Sequence, residues 1–181
     1  DTPHPRVLLQ CGRQVEKSTT LGNLTLTNTL LRQHFRALFV SPTQQQTETF
    51  SRDRISTPIE ISDRLSLFLQ GEATKNNVLY KKFVTHSDIT FRYAFLHADR
   101  VRGISADMLL LDEIQDVLTE VIPVIEEALS HSPYKILRYS GTPKSLDNTI
   151  SYYWNQFSTQ NEWVVPCDAC NTWNVLGIKN I

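Results

Sequence analysis

The chain has 181 residues, of which 40% are hydrophobic and 20% charged, with a net charge of −1. This suits one soluble globular domain with a sizeable core and excludes a protein that coats nucleic acid with a strongly basic field. No apolar run reaches the roughly 18 residues of a membrane span, and three cysteines exclude a disulfide framework. The first residues, from Asp1 to Gln14, lack the charged start and small-residue cleavage site of a signal peptide, so a reducing, intracellular setting is expected.

Val7-Leu8-Leu9-Gln10 is a short apolar run and predicts a buried strand. From Ser18 to about Phe35, Leu21, Leu24, Leu30 and Leu31 recur at helical spacing, despite threonines that lower helix propensity. Ala37 to Ser41 predicts a second buried strand, stopped by Pro42, and residues 43–54 a polar helix. Ile61 to Leu69 predicts another helix, ended by Gly71, with a polar loop over 70–77. Residues 78–84 and 88–96 alternate as a hairpin does.

Asp107 to Leu111 is the most apolar strand of the chain. Val117 to Leu129 predicts a helix, kinked or divided by Pro123. Ile136 to Ser140 is a further strand, followed by Gly141-Thr142-Pro143; residues 145–157 are expected to be helical and 162–166 extended. Strands alternating with helices imply βαβ units and an α/β fold with a mostly parallel central sheet flanked by helices.

Two segments carry chemistry. Gly12-Arg13-Gln14-Val15-Glu16-Lys17-Ser18-Thr19 follows a predicted strand and opens a predicted helix. Lys17-Ser18 supply the K-[ST] element of a phosphate loop: lysine for the β- and γ-phosphates, a hydroxyl for Mg2+, and backbone N–H groups for the remaining oxygens. The pattern's two glycine positions hold Cys11 and Glu16. A carboxylate at the second repels phosphate, and its side chain crowds a backbone that glycine lets approach closely. The same residues would also suit an ordinary loop before a helix.

The second segment is Leu109-Leu110-Leu111-Asp112-Glu113, an apolar strand ending in two carboxylates. Asp112 at the strand's C-terminal edge can hold Mg2+, and Glu113 can orient or deprotonate a water. Two acids also suit a helix N-terminus, where the macrodipole favours them. The pairing with Lys17-Ser18 in a βαβ pattern favours the nucleotide reading.

Near the end, Cys167-Asp168-Ala169-Cys170 has the spacing of half a zinc knuckle, whereas tetrahedral zinc needs four ligands. Two ordinary reduced cysteines are the alternative. The five histidines have no ligand spacing. Tyr152, Tyr153, Trp154 and Phe157 cluster at helical spacing and are expected in the core or in a subunit contact.

In their order, these segments resemble the large terminase subunit of tailed bacteriophages, the DNA-packaging motor, over roughly residues 6–173. The resemblance rests on Gly12 to Ser18, on Val40-Ser41-Pro42-Thr43 with the following glutamines, on Arg102-Gly103 ahead of Leu109 to Glu113, and on Ser140-Gly141-Thr142-Pro143. It implies a RecA-like P-loop NTPase fold and an ATPase that moves double-stranded DNA into a procapsid. Residues 1–181 would form a single, truncated ATPase domain, without the family's C-terminal nuclease domain.

It further implies that Lys17 and Ser18 bind phosphate and Mg2+, that Asp112 supports the metal, and that Glu113 is the catalytic carboxylate. Arg13 would sense the γ-phosphate. Arg102 would serve as a finger for a neighbouring subunit's ATP, with a solvated loop arginine an equal alternative. Thr142 would couple hydrolysis to movement. The implied partners are double-stranded DNA, further copies in a ring, the viral portal and the small terminase subunit, without a membrane, in the cytoplasm of an infected bacterial host. Glu16 departs from the family's glycine. Two other readings stay open: a helicase-like translocase, suggested by Asp112-Glu113-Ile114-Gln115, and a scaffold that binds nucleotide poorly because of Glu16.

Overall fold

The computed structural model describes residues 4–69, 76–145 and 147–175. A seven-stranded sheet runs in the order β1 (Arg6–Gln10), β7 (Ile136–Gly141), β6 (Met108–Leu111), β2 (Arg36–Ser41), β5 (Asp88–Tyr93), β4 (Tyr80–Lys82), β3 (Asn76–Asn77). Strands β1, β7, β6, β2 and β5 are parallel, and β4 and β3 continue the sheet antiparallel. A small hairpin of β8 (Val164–Pro166) and β9 (Trp173–Val175) forms a second sheet.

The alternation of side chains across the pleat builds two cores from the same strands. Leu38, Val40, Leu109, Leu111 and Leu137 face one layer, together with Ile114, Ile122, Ile125 and Ile150. Ala37, Phe39, Met108, Leu110 and Ile136 face the other, against α1 (Lys17–Leu31) and the helical segment after β2. Burial on both faces explains why the central strands read as unbroken apolar runs. The expected buried first strand is different: β1 is an edge strand with half-buried residues, hydrogen-bonded to β7 alone among the described residues.

The threonine-rich helix forms because its buried hydroxyls find acceptors in the preceding turn. Thr25 donates to the Leu21 carbonyl at 2.7 Å and Thr29 to the Thr25 carbonyl at 2.8 Å. The helix ends at Leu31 rather than Phe35, since Arg32 is extended and His34 left-handed.

Helix α2 (Gln44–Phe50) starts in a capping box between Thr43 and Gln46. It does not stop at residue 54. A π-helical turn, Ser51–Ser56, leads on into α3 (Thr57–Ile61). Pro58 has no N–H to continue an α-helical ladder, and the wider turn comes just before it, with the Thr57 amide donating to the Arg52 carbonyl.

Other boundaries shift for similar local reasons. The helix expected over 61–69 is interrupted at Ser62, which is extended and caps a short α4 (Asp63–Ser66). Gly71 and most of the 70–77 loop lie outside the described residues. The helix expected over 117–129 shrinks to α5 (Ile122–Glu126) and a 3-10 turn, Glu127–Leu129. Pro123 neither kinks nor divides it but occupies its first turn, where a missing N–H costs nothing. The last helix, α6 (Thr149–Phe157), begins at 149 rather than 145 because Asn148 caps it, accepting from the Ser151 amide at 2.9 Å. In its aromatic cluster, Tyr153 packs against the core while Tyr152 and Phe157 stay exposed.

Helix α1 and the π-helical turn meet at Gly22. A Cβ there would lie 2.9 Å from the Arg54 carbonyl oxygen and 3.0 Å from the Arg54 Cβ. Only glycine allows this approach. Gly22→Ala is therefore expected to destabilise the fold by about 1–2 kcal/mol, the overpacking cost outweighing the helix-propensity gain of about 1 kcal/mol. Urea denaturation would show a lower midpoint with an unchanged slope; a raised midpoint would mean that the contact yields without cost.

Candidate nucleotide site

The five parallel strands end along one edge of the sheet, and the segments that follow β1, β2, β6 and β7 surround a cleft of about 850 Å3. Its lining includes residues 13–19, Gln46, Arg54, Glu113, Gln115, Asp116 and 142–144. The structure thus brings the loop after β1, the acidic segment after β6 and the Thr142 segment after β7 to one place.

The loop takes the shape of an anion cradle. Gln14 and Glu16 are both left-handed, with φ of 59° and 58°. Glu16 ends the loop as the cap of α1 without a side-chain cap bond, and the first helical hydrogen bond runs from the Thr20 amide to the Glu16 carbonyl at 2.9 Å. The amides of the first turn are left for a ligand. The left-handed backbone at 16 is the conformation glycine favours, so Glu16 carries strain of about 1–2 kcal/mol. Its carboxylate accepts from the Thr19 hydroxyl. Gly12, by contrast, has open space around it and no positive φ.

Lys17 reaches across the cleft. Its Nζ donates to the Thr142 hydroxyl at 2.7 Å and to the Gly12 carbonyl at 3.1 Å. Ser18 donates to Asp112 Oδ2 at 3.1 Å. Asp112 Oδ1 accepts from the Ser140 hydroxyl and, at 3.0 Å, from the Glu113 amide. Burial pushes the Asp112 carboxyl above the usual carboxylate range, the Glu113 charge adds to this, and the Ser140, Ser18 and Glu113 donors oppose it. A desolvated carboxylate beside a serine hydroxyl at the mouth of a phosphate loop fits a Mg2+ ion by donor chemistry.

Glu113 is left-handed, φ 54°, and accepts from Gln115 Nε2. Gln115 Oε1 in turn accepts from the Thr142 amide at 3.1 Å. A Cβ on Gly141 would lie 2.3 Å from that same oxygen, so glycine there makes room for the bridge. From sequence alone, Gln115 has only a place in a D-E-x-Q run; its bridging role depends on Gly141 in a distant segment. Ser140 was legible as part of the Ser140 to Pro143 motif, but not as a partner of Asp112.

Arg13 lines the cleft, whereas Arg102 does not. Arg102 is exposed and lies 3.8 Å from the Asp99 carboxylate. Cys167 and Cys170 are also remote from the cleft, at the turn between β8 and β9, where Asn171 is left-handed and the Cys167 amide donates to the Thr172 carbonyl at 2.9 Å. The Thr172 hydroxyl and amide lower the Cys170 thiol below its ordinary value, aided by Cys167. Among the described residues no third metal-binding side chain joins the pair. No helix among them is long and apolar enough to cross a membrane.

The raised pKa of Asp112 has a thermodynamic sign. Its contribution to stability is full below the unfolded carboxylate value and is lost as pH rises through the higher folded value. Asp112→Asn is therefore expected to gain in melting temperature relative to the wild type as pH is raised from 4 to 7, without Mg2+. A difference independent of pH would contradict the burial of this charge.

The family model of phage terminase large subunit gpA, ATPase domain, matches residues 1–181. A search of curated proteins returns no match. The fold is similar to that of the HK97 bacteriophage large terminase, with a TM-score of 0.69 and 12% identity, covering 82% of this chain and 31% of that one. It is also similar to the large terminase ATPase domain of Thermus phage P74-26, with a TM-score of 0.67 and 18% identity, covering 97% of this chain and 73% of that one. The chain thus spans about a third of the HK97 protein, and these likenesses establish the RecA-like P-loop fold.

Proposed function

The chain belongs to the family of ATPase domains of the phage terminase large subunit gpA, and on that premise we propose that it hydrolyses ATP in this cleft to drive double-stranded DNA into a procapsid. The observation that carries the reading is the hydrogen bond between Ser18 and Asp112, which joins the phosphate loop to the end of β6. A structural loop before a helix has no need of a buried carboxylate opposite its serine.

In the proposed mechanism, the amides at the start of α1 and the Lys17 ammonium bind the β- and γ-phosphates. Ser18 and Asp112 would hold Mg2+, which would supply charge neutralisation when bound. Glu113, held by Gln115, orients the attacking water and accepts its proton. Lys17 can exchange the Thr142 hydroxyl for a phosphate oxygen, which removes one of the two bonds that hold the Thr142 segment and leaves the Gln115 bond to its amide. That exchange is the proposed coupling step. Arg13 approaches the γ-phosphate from the loop, and the exposed Arg102 serves the site of a neighbouring copy in a ring.

DNA would be gripped through its backbone phosphates, without sequence preference. The portal and the small terminase subunit would be the further partners, in the cytoplasm of the infected host. Zinc at Cys167 and Cys170 would require two more ligands than these cysteines supply.

One observation favours a second reading. Glu16 stands in a left-handed position with its carboxylate beside the phosphate cradle, as a scaffold that binds nucleotide poorly would have it. Calorimetry with Mg-ATP separates the two. Native binding is expected, with Glu16→Gly tightening it about tenfold or more through relief of strain and repulsion. Binding only after Glu16→Gly would sink the ATPase reading. Glu113→Gln is expected to retain ATP binding while kcat falls about 10^2- to 10^4-fold. An unchanged phosphate-release rate would remove Glu113 from the mechanism.

A further inference from the structure

The cations of the cleft are not equally available. Lys144 is paired with Asp116 at 2.6 Å, and Lys17 is held by Thr142 and Gly12. The Arg13 and Arg54 guanidinium groups have no hydrogen bond or ion pair with any described residue. Of the two, Arg54 alone lines both the main cleft and a second cavity of about 290 Å3. That second cavity is bounded by Ser18, Asp112 and Glu113. Arg54 therefore lines both of the cavities that Ser18 and Glu113 border, and Asp112 borders the second. Arg52, on the same turn, lines neither.

The backbone fixes this placement. Arg54 belongs to the π-helical turn Ser51–Ser56, and its carbonyl and Cβ rest against Gly22, four residues beyond Ser18 on α1. Wide turns of this kind often re-aim a side chain at a functional site. There is also an electrostatic reason for a cation here. The cleft holds Glu16 and Glu113 as well as the room for phosphates, and Glu16 adds a negative charge where the loop pattern has none. A guanidinium offers a planar fork of donors that matches phosphate oxygens.

We infer that Arg54 contacts the terminal phosphate of a nucleoside triphosphate in its own chain's cleft, and so distinguishes triphosphate from diphosphate. This rests on the nucleotide reading of the site. Calorimetric titration of Mg-ADP and of Mg-AMP-PNP, a non-hydrolysable ATP analogue, into the wild type, Arg54→Gln and Arg54→Lys tests it. Arg54→Gln is expected to weaken AMP-PNP by about 10- to 100-fold, as loss of a charged hydrogen bond does, and to leave ADP within about twofold.

Arg54→Lys, which keeps the charge but not the fork, should fall between, and it serves alone if the glutamine variant melts early. Equal weakening of both nucleotides marks a structural role and overturns the proposal, as does no change in either; in both cases the nucleotide site itself stands. Failure of the wild type to bind either nucleotide overturns the site reading, and the role of Arg54 with it.

Discussion

The Asp112 carboxylate accepts hydrogen bonds from Ser18 on α1, Ser140 on β7 and the Glu113 amide that follows β6. Three chain segments far apart in sequence are thereby tied at one buried acid. The arrangement is costly in isolation, because burial disfavours the charge that the donors favour. The cost is spread over three satisfied hydrogen bonds, and a cation at the same point would offset much of it. The geometry of the cleft follows from this one group, since the loop after β1 and the segments after β6 and β7 cannot drift apart while it holds them.

A second set of contacts runs at right angles in function rather than in space. Lys17, Thr142, Gln115 and Glu113 form a chain in which each polar group is engaged by the next. Its two ends are the residues that meet phosphate and water in the proposed reaction. Thr142 is bound twice, through its hydroxyl by Lys17 and through its amide by Gln115, so the segment after β7 senses both. Such a chain is satisfied without a ligand and can exchange partners with little change in the number of bonds.

Much of this was legible in the sequence. Lys17-Ser18 after an apolar run, and two acids after another, are local patterns whose chemistry needs little tertiary information. The mostly parallel sheet followed from strands alternating with helices. Element boundaries were less legible at Ser62, Pro123 and Asn148, because capping and first-turn positions depend on single backbone conformations. The bridging role of Gln115 was not legible, because its own Oε1 fits only where Gly141, in a distant segment, lacks a side chain. The place of Arg54 at the cleft was not legible, because it depends on the π-helical turn ahead of Pro58. The left-handed Glu16 lay between these cases: its departure from glycine was visible, its strain only in φ.

Strand β1 bears the phosphate loop and has a hydrogen-bonded neighbour on one side only among the described residues. In exchange with deuterated solvent, its amides should divide into two alternating classes: those turned to β7 slow, those turned outward fast. That edge, unpaired among the described residues, is a template for another strand. Whatever docks there, from this chain or another, would stiffen the strand that carries Gly12 to Thr19 and would be felt at the cleft without touching it.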